Sequence, residues 1–113
     1  MESEVDQGKA WVDNRIMEEA RKWNVAPAAV DQEFVFSERS ADCEGVERWI
    51  WEIRSARGRP TLVVPDKDLV DVASGVDKVK TRVSDQIGNL IAPLGPRSVK
   101  ASVKRLQEED SAD

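Results

Sequence analysis

Carboxylate pairs and one cysteine are the side chains that could take part in catalysis or hold a metal ion. Glu18 and Glu19 are adjacent, Asp66 and Asp68 are two residues apart, and Cys43 lies between two acids. The chain contains no histidine, so the commonest general base and metal ligand is missing. The carboxylates have polar neighbours and no nucleophile beside them. We therefore expect no catalytic residue, no metal, no cofactor and no enzyme activity.

Three arginines form the first candidate binding site. Arg54, Arg57 and Arg59 follow one another without an intervening acid, beside Gly58 and Pro60. The glycine and the proline place them on a turn between two predicted strands. This turn resembles the wing of a winged-helix domain, where arginines reach phosphates or a minor groove. The resemblance implies a nucleic-acid-binding accessory or regulatory protein, and an ordinary solvated hairpin turn is the alternative.

A second basic group lies near the end of the chain, where valines and a leucine recur at helical spacing after Pro96. The pattern predicts a short helix over about residues 97–107. Phosphate binding by its basic face would weaken steeply with salt. The alternative is a solvated helix that docks by its apolar edge. The basic residues are Arg97, Lys100, Lys104 and Arg105.

Tryptophan is the third candidate, because the chain has four tryptophans and no tyrosine. Trp49 and Trp51 alternate with polar residues and would share one face of a strand. Tryptophan is enriched at the centres of protein interfaces, but it is also a common core residue. The sequence leaves open whether the two are core anchors or an exposed docking platform.

The longest periodic run of the chain must position these groups. Between residues 65 and 92, apolar residues recur every three or four positions, which predicts one long helix over about residues 66–91. Gly75 and Gly88 lie inside it and each cost about 1 kcal/mol relative to alanine, so packing must hold the helix. We expect this stripe to contact a partner or a second copy. The predicted interface consists of Leu69, Val72, Val76, Val79, Val83 and Leu90, with Trp49 and Trp51.

The chain before this helix predicts a helix followed by strands. Residues 9–24 have helical periodicity, and residues 27–32 could form a second short helix or a turn. Residues 33–64 have the alternation and the turn residues of a three-stranded antiparallel meander. Its middle part, residues 44–57, also fits a helix, and the sequence does not decide between the two.

Charge placement suggests the domain limits. The net charge is −5, but seven of the 22 acids lie in residues 1–8 and 108–113, and the 17 basic residues lie between them with 15 acids. We predict an acidic disordered leader over residues 1–8, a single domain over 9–95, a basic helix over 96–107 and an acidic disordered tail over 108–113. The apolar runs are too short to span a membrane, and the acidic start is unlike a signal peptide. We expect a cytoplasmic or otherwise intracellular protein.

Together these patterns predict an α+β fold: an N-terminal helix, a three-stranded antiparallel meander, a long helix and a short C-terminal helix. We expect a non-catalytic protein-interaction or adaptor module that self-associates as a homodimer. One alternative is a winged-helix-like nucleic-acid-binding regulator that uses Arg54, Arg57 and Arg59. A second alternative is a small inhibitor or antitoxin-like protein that acts through its acidic surface.

Overall fold

A computed structural model describes residues 3–29 and 31–96 of the chain. Its elements follow the predicted order, with the three strands uninterrupted between the first helix and the later ones. The predicted α+β fold is confirmed. The helices are α1 (Glu4–Lys22), α2 (Asp66–Ala73) and α3 (Asp77–Ile91), the strands are β1 (Val35–Ala41), β2 (Glu47–Ile53) and β3 (Thr61–Pro65), and a 3₁₀ turn covers Ala92–Leu94.

Helix α1 begins earlier than the sequence analysis places it. Ser3 is its N-cap, and its hydroxyl accepts a hydrogen bond of 3.1 Å from the backbone N–H of Asp6. Such a cap satisfies one of the free N–H groups of the first turn, and acids in that turn complement the helix dipole. Glu4 and Asp6 are these acids. The acidic stretch assigned to a disordered leader therefore starts the helix from residue 4 onward.

The possible second helix over residues 27–32 is absent from the described part of that range, residues 27–29 and 31–32. Asn24 has a φ of 55°, and Pro27 makes an isolated β-bridge with Ser55. The N–H of Ala28 donates to the carbonyl of Arg54 at 3.0 Å. The loop after α1 is thus held in extended form against the β2–β3 turn.

The three strands form an antiparallel sheet in the order β1-β2-β3. In the central strand, Ile50 lies opposite Glu38 on β1 and opposite Val63 on β3, and these two pairs define the register of the sheet. Residues 47–53 are therefore a strand, which decides the open choice between strand and helix. The alternation of β2 puts both tryptophans on one face of the sheet and Ile50 on the other.

The predicted long helix is two helices. Gly75 has a φ of 82°, its N–H donates to Val72, and the N–H of Val76 donates to Asp71 at 2.9 Å. This is a Schellman motif, in which a left-handed glycine ends a helix and satisfies its last carbonyls. The chain turns there and starts α3 at Asp77. Gly88, in contrast, stays inside α3.

The three helices of the described residues lie on one face of the sheet, so this part of the chain has two layers. The Nε1 of Trp51 on β2 donates to Asp13 of α1 at 2.7 Å, which joins the layers. Arg82 of α3 pairs with Asp68 of α2 at 2.7 Å within the helical layer. The buried apolar core between the layers consists of Val12, Ile16, Ala20, Trp51, Ile53, Leu62, Val64, Leu69, Val72, Val79, Val83, Ile87, Ile91 and Leu94.

Close contact between α1 and α2 depends on Gly8. A Cβ at this position would lie 2.2 Å from the carbonyl oxygen of Leu69, so no other residue fits without movement of the helices. The sequence analysis treats Gly8 as the end of a leader, whereas it is a buried residue of α1. The predicted basic helix and acidic tail fall on residues 97–113, which lie outside the described residues.

Candidate interaction surfaces

The sheet face turned away from the helices is uncovered by any described element. Each strand contributes three residues to it, and none of the nine is buried. Ile50 lies at its centre, with Val63 beside it on β3. Val63 is 42% exposed. This outer face consists of Phe36, Glu38 and Ser40 from β1, Arg48, Ile50 and Glu52 from β2, and Thr61, Val63 and Pro65 from β3.

Charged residues surround the apolar centre of the outer face. The Nε of Arg54 donates to Glu52 at 2.8 Å, and its guanidinium lies 4.7 Å from the centre of the Phe36 ring. Arg48 differs, because its Nε is buried and has no hydrogen-bond partner among the described residues. A buried donor without a partner costs free energy.

Strand β3 is an open edge of the sheet. The N–H of Ile53 on β2 donates to the carbonyl of Pro60 at 3.0 Å. Because the backbone groups of successive residues in an antiparallel strand face alternately toward and away from the partner, this bond fixes which residues of β3 face β2. The backbone groups of Leu62 and Val64 consequently face β2. Those of Thr61 and Val63 face away from the sheet. An edge with free backbone groups can pair with another strand, and the residues of β3 carry no charge that would prevent it.

A groove runs between this edge and α3. It encloses about 320 Å³ and is open to solvent. Leu90 of α3 forms part of its wall and packs on the rim of the core. An edge strand beside a helix is the arrangement that accepts an added strand in β-augmentation. The groove is lined by Thr61, Leu62, Val63, Gln86, Asn89 and Leu90.

The predicted valine stripe faces the chain's own core. Leu69, Val72, Val79 and Val83 are buried there. Val76 is 39% exposed, because it lies in the turn between α2 and α3 and not on a helix face. Leu90 is half-buried beside the groove. Val76 and Leu90 are thus the members of the stripe that another molecule could contact in the folded chain.

The two tryptophans of β2 have different surroundings. Trp51 is fully buried, whereas Trp49 is half-buried between the ammonium of Lys9, 4.9 Å from its ring centre, and the guanidinium of Arg39, at 5.5 Å. The two rings lie 6.3 Å apart. Trp51 is a core anchor. Trp49 closes the edge of the core under two cations.

Arg39 holds β1 to the start of α2. Its two terminal nitrogens donate to the two carboxylate oxygens of Asp66, at 3.1 and 2.8 Å, and it also pairs with Glu47. The hydrogen bonds to Asp66 and then to Glu47 raise the pKa of Arg39 above its ordinary value. A bidentate pair of this kind fixes orientation, so we assign it a structural role.

A second polar network joins α1 to α3. Arg15 donates to the hydroxyl of Ser84 at 2.8 Å and to the carboxylate of Glu19 at 3.1 Å. The other oxygen of Glu19 accepts from the indole N–H of Trp23 at 3.1 Å. Glu19 is buried, and each of its oxygens has a partner. The predicted absence of a catalytic role for the Glu18–Glu19 pair stays a prediction, but Glu19 has a clear structural role.

The arginine turn is only partly free. Arg54 is engaged by Glu52 and Phe36, as described above. Arg59 is exposed and approaches the side-chain oxygen of Gln32 at 3.5 Å. Arg57 is exposed and has no ion-pair partner among the described residues. The turn itself is rigid, because the hydroxyl of Ser55 donates to the carbonyl of Gly58 at 2.6 Å. Arg97, Lys100, Lys104 and Arg105 lie outside the described residues.

An apolar groove that the sequence analysis did not identify lies at the end of α1. It encloses about 380 Å³. Met17 of α1 is 41% exposed here. The groove forms because the loop after α1 folds back onto the start of β1, a long-range contact without a local signal. It is lined by Met17, Ala20, Arg21, Asn24, Val25, Pro27 and Phe34.

The sequence analysis also missed the outer face. Ile50 and Val63 both fall within the predicted meander over residues 33–64, whose pattern does not say which residues of different strands become neighbours. These two residues and Phe36 share one surface because of the strand register, which the turn at residues 42–46 sets. Asp42 fixes this turn by accepting from the N–H groups of Glu44 and Val46 at 2.8 and 2.9 Å.

Neither a metal-binding group of side chains nor a membrane-spanning helix is found in the described part of the chain. Among residues 3–29 and 31–96, no three His, Cys, Asp or Glu side chains are grouped so that they could hold a metal ion. No described helix is long and apolar enough to cross a membrane.

Comparison with known proteins gives no relative. The chain matches no protein-family model, no curated protein and no solved structure.

Proposed function

We propose that this chain is a non-catalytic protein-interaction module that self-associates. The observation that carries the proposal is the uncovered outer face together with the open edge of β3. An exposed, uncharged edge strand is rare in monomeric proteins, because it invites pairing with another chain. Val63 lies where the face and the edge meet, and it is 42% exposed.

The contact surface differs from the one expected from the sequence. The stripe residues Leu69, Val72, Val79 and Val83 are buried between the layers. Aspartate at Val79 or Val83 would place a charge in the core and unfold the chain, whatever its oligomeric state. Such variants are therefore unsuitable for testing self-association.

The test is the mass of the protein in solution as a function of concentration. We expect light scattering and sedimentation velocity to show a dimer at high micromolar concentration. Val63→Asp should return the protein to a monomer, because it places a charge on the edge strand. Val46→Asp is the matched control, since Val46 is also an exposed valine, at 48%, but lies in the β1–β2 turn.

Circular dichroism of both variants checks that the fold is intact. A wild-type protein that stays monomeric at high micromolar concentration would overturn the proposed self-association. Loss of the dimer in both variants would show that the contact is not at the β3 edge.

Nucleic-acid binding is the second candidate, and the exposed, unpaired guanidinium of Arg57 is the observation that favours it. With Arg59 beside it, the rigid turn presents two cations to a phosphate backbone. This candidate predicts duplex binding that weakens steeply with salt and is lost in the Arg57→Ala/Arg59→Ala variant. Absence of binding to any duplex or single strand at low salt would remove it.

A further inference from the structure

We propose that the second copy joins through β3, in an antiparallel pairing centred on Leu62 that makes one six-stranded sheet. This inference depends on the proposed self-association and names its geometry. The ladder alternation leaves four backbone groups of β3 facing outward without a strand partner among residues 3–29 and 31–96: the N–H and the carbonyl of Thr61 and those of Val63.

The register follows from these four groups and from the extent of β3, because pairing centred on Thr61 would place Val63 opposite Arg59, which lies outside the strand. Two-fold pairing centred on Leu62 puts Thr61 of each copy opposite Val63 of the other, which makes two symmetry-related pairs. Each of the two pairs exchanges two hydrogen bonds, so all four outward groups of each copy are satisfied. Pairing centred on Val63 would place Thr61 opposite Pro65, which has no N–H. The carbonyl of Thr61 would then stay unpaired.

The other edge of the sheet is less suited to pairing. Strand β1 carries Glu38 and Arg39, which are both exposed, and Arg39 is held in place by Asp66. Charged residues on an edge strand discourage pairing with another chain. Strand β3 has no charged residue, and Pro60 and Pro65 limit the pairing to the segment between them.

The side chains agree with the same register. Val63 and the second copy's Thr61 become neighbours on the outer face, and cross-strand pairs of β-branched residues stabilise a sheet. Arg59 of one copy comes opposite Pro65 of the other. It lies there beside the first turn of α2, which is acidic because of Asp66 and Asp68. Asp66 and Asp68 are already paired with Arg39 and Arg82 of their own copy, so this contact contributes little to the pairing.

Amide hydrogen exchange of the wild-type protein is the first test. In the monomer the N–H groups of Thr61 and Val63 face solvent, while those of Leu62 and Val64 are protected by β2. We expect exchange at Thr61 and Val63 to slow at least about tenfold between dilute and concentrated samples, in step with dimer formation. The amides of Leu62 and Val64 should not change.

Cysteine cross-linking is the second test, and it reports the register. In a Cys43→Ser background, the Thr61→Cys/Val63→Cys variant should form a disulfide dimer on mild oxidation. Cα atoms of such a hydrogen-bonded pair lie about 5.5 Å apart, which is within disulfide range. Each single variant should cross-link far more slowly, because identical residues are offset by two positions along the strand, about 6.6 Å.

The outcomes separate the inference from the proposed function. A dimer whose Thr61 and Val63 amides exchange freely would overturn the β3 pairing and keep self-association. Efficient cross-linking of Val63→Cys alone, or of Thr61→Cys alone, would overturn the register centred on Leu62. A wild-type monomer at high concentration would overturn both.

Discussion

The two faces of the sheet differ in what lies on them, although the same three strands make both. On the inner face, Trp51, Ile53, Leu62 and Val64 are buried beneath the helices. On the outer face, Ile50 and Val63 have no described element above them. Alternate residues of one strand therefore differ in role: the inner-face residues stabilise the fold, and the outer-face residues are accessible to another molecule. A change of one position along β2 moves from the core to the surface.

The largest effect is expected for Trp51→Ala, compared with Ile50→Ala next to it. Trp51 is fully buried and donates a hydrogen bond to Asp13. Its removal should lower the free energy of unfolding by about 3–5 kcal/mol. Ile50→Ala should cost less than about 1 kcal/mol in the monomer. Urea unfolding of both variants at low protein concentration measures the difference, and equal losses would contradict the two-face description.

A smaller effect is expected at the close contact between α1 and α2. Gly8→Ala places a Cβ 2.2 Å from the carbonyl oxygen of Leu69, so α1 and α2 must move apart. We expect a loss of about 1–3 kcal/mol in the free energy of unfolding.

Gly88→Ala is the matched control for this helix contact. Its Cβ would lie 3.7 Å from the nearest oxygen of Glu19, an ordinary contact. Alanine inside α3 should therefore gain up to about 1 kcal/mol. Thermal and urea unfolding give both values. Stabilisation by both substitutions would show that α1 and α2 are not in close contact at Gly8.

The smallest effect concerns the turn that sets the strand register. The N–H groups of Val46 and Glu44 donate to the Asp42 carboxylate and hold its pKa below the ordinary value of 3.8. A carboxyl whose pKa is lower in the folded state stabilises the fold above its unfolded pKa. This contribution is lost as the pH falls through the folded-state pKa.

Asp42→Asn tests this pH dependence, because asparagine keeps an acceptor oxygen and removes the charge. The wild type should be the more stable protein at neutral pH, and the difference should shrink below about pH 4. Urea midpoints measured across the acid range give the profile. Glu44→Gln in the same turn is the charge control. The same shrinking difference for Glu44→Gln would assign the effect to net charge.

The element types and their order could be predicted because they depend on local periodicity. The spacing of Val12, Ile16 and Ala20 predicts a helix, whereas the pattern around Trp49 and Trp51 fits a strand and a helix alike until the structure pairs β2 with its neighbours. The spacing also identified Val72, Val79 and Val83 as one apolar face. It could not say whether that face meets another chain or the sheet, because a helix pattern carries no information on its partner.

The sequence by itself therefore determined the α+β class and the absence of histidine, and these follow from composition and from short-range spacing, whereas the strand pairing of residues 47–53 came from the structure. Tertiary structure alone decided between the two glycines of the last helical run. Gly75 ends α2 in a left-handed turn, whereas Gly88 stays helical beside Glu19. It also decided that Val72, Val79 and Val83 lie in the core and that Val63 lies on the surface. The physical reason is that burial depends on long-range packing, which pairs residues far apart in the chain.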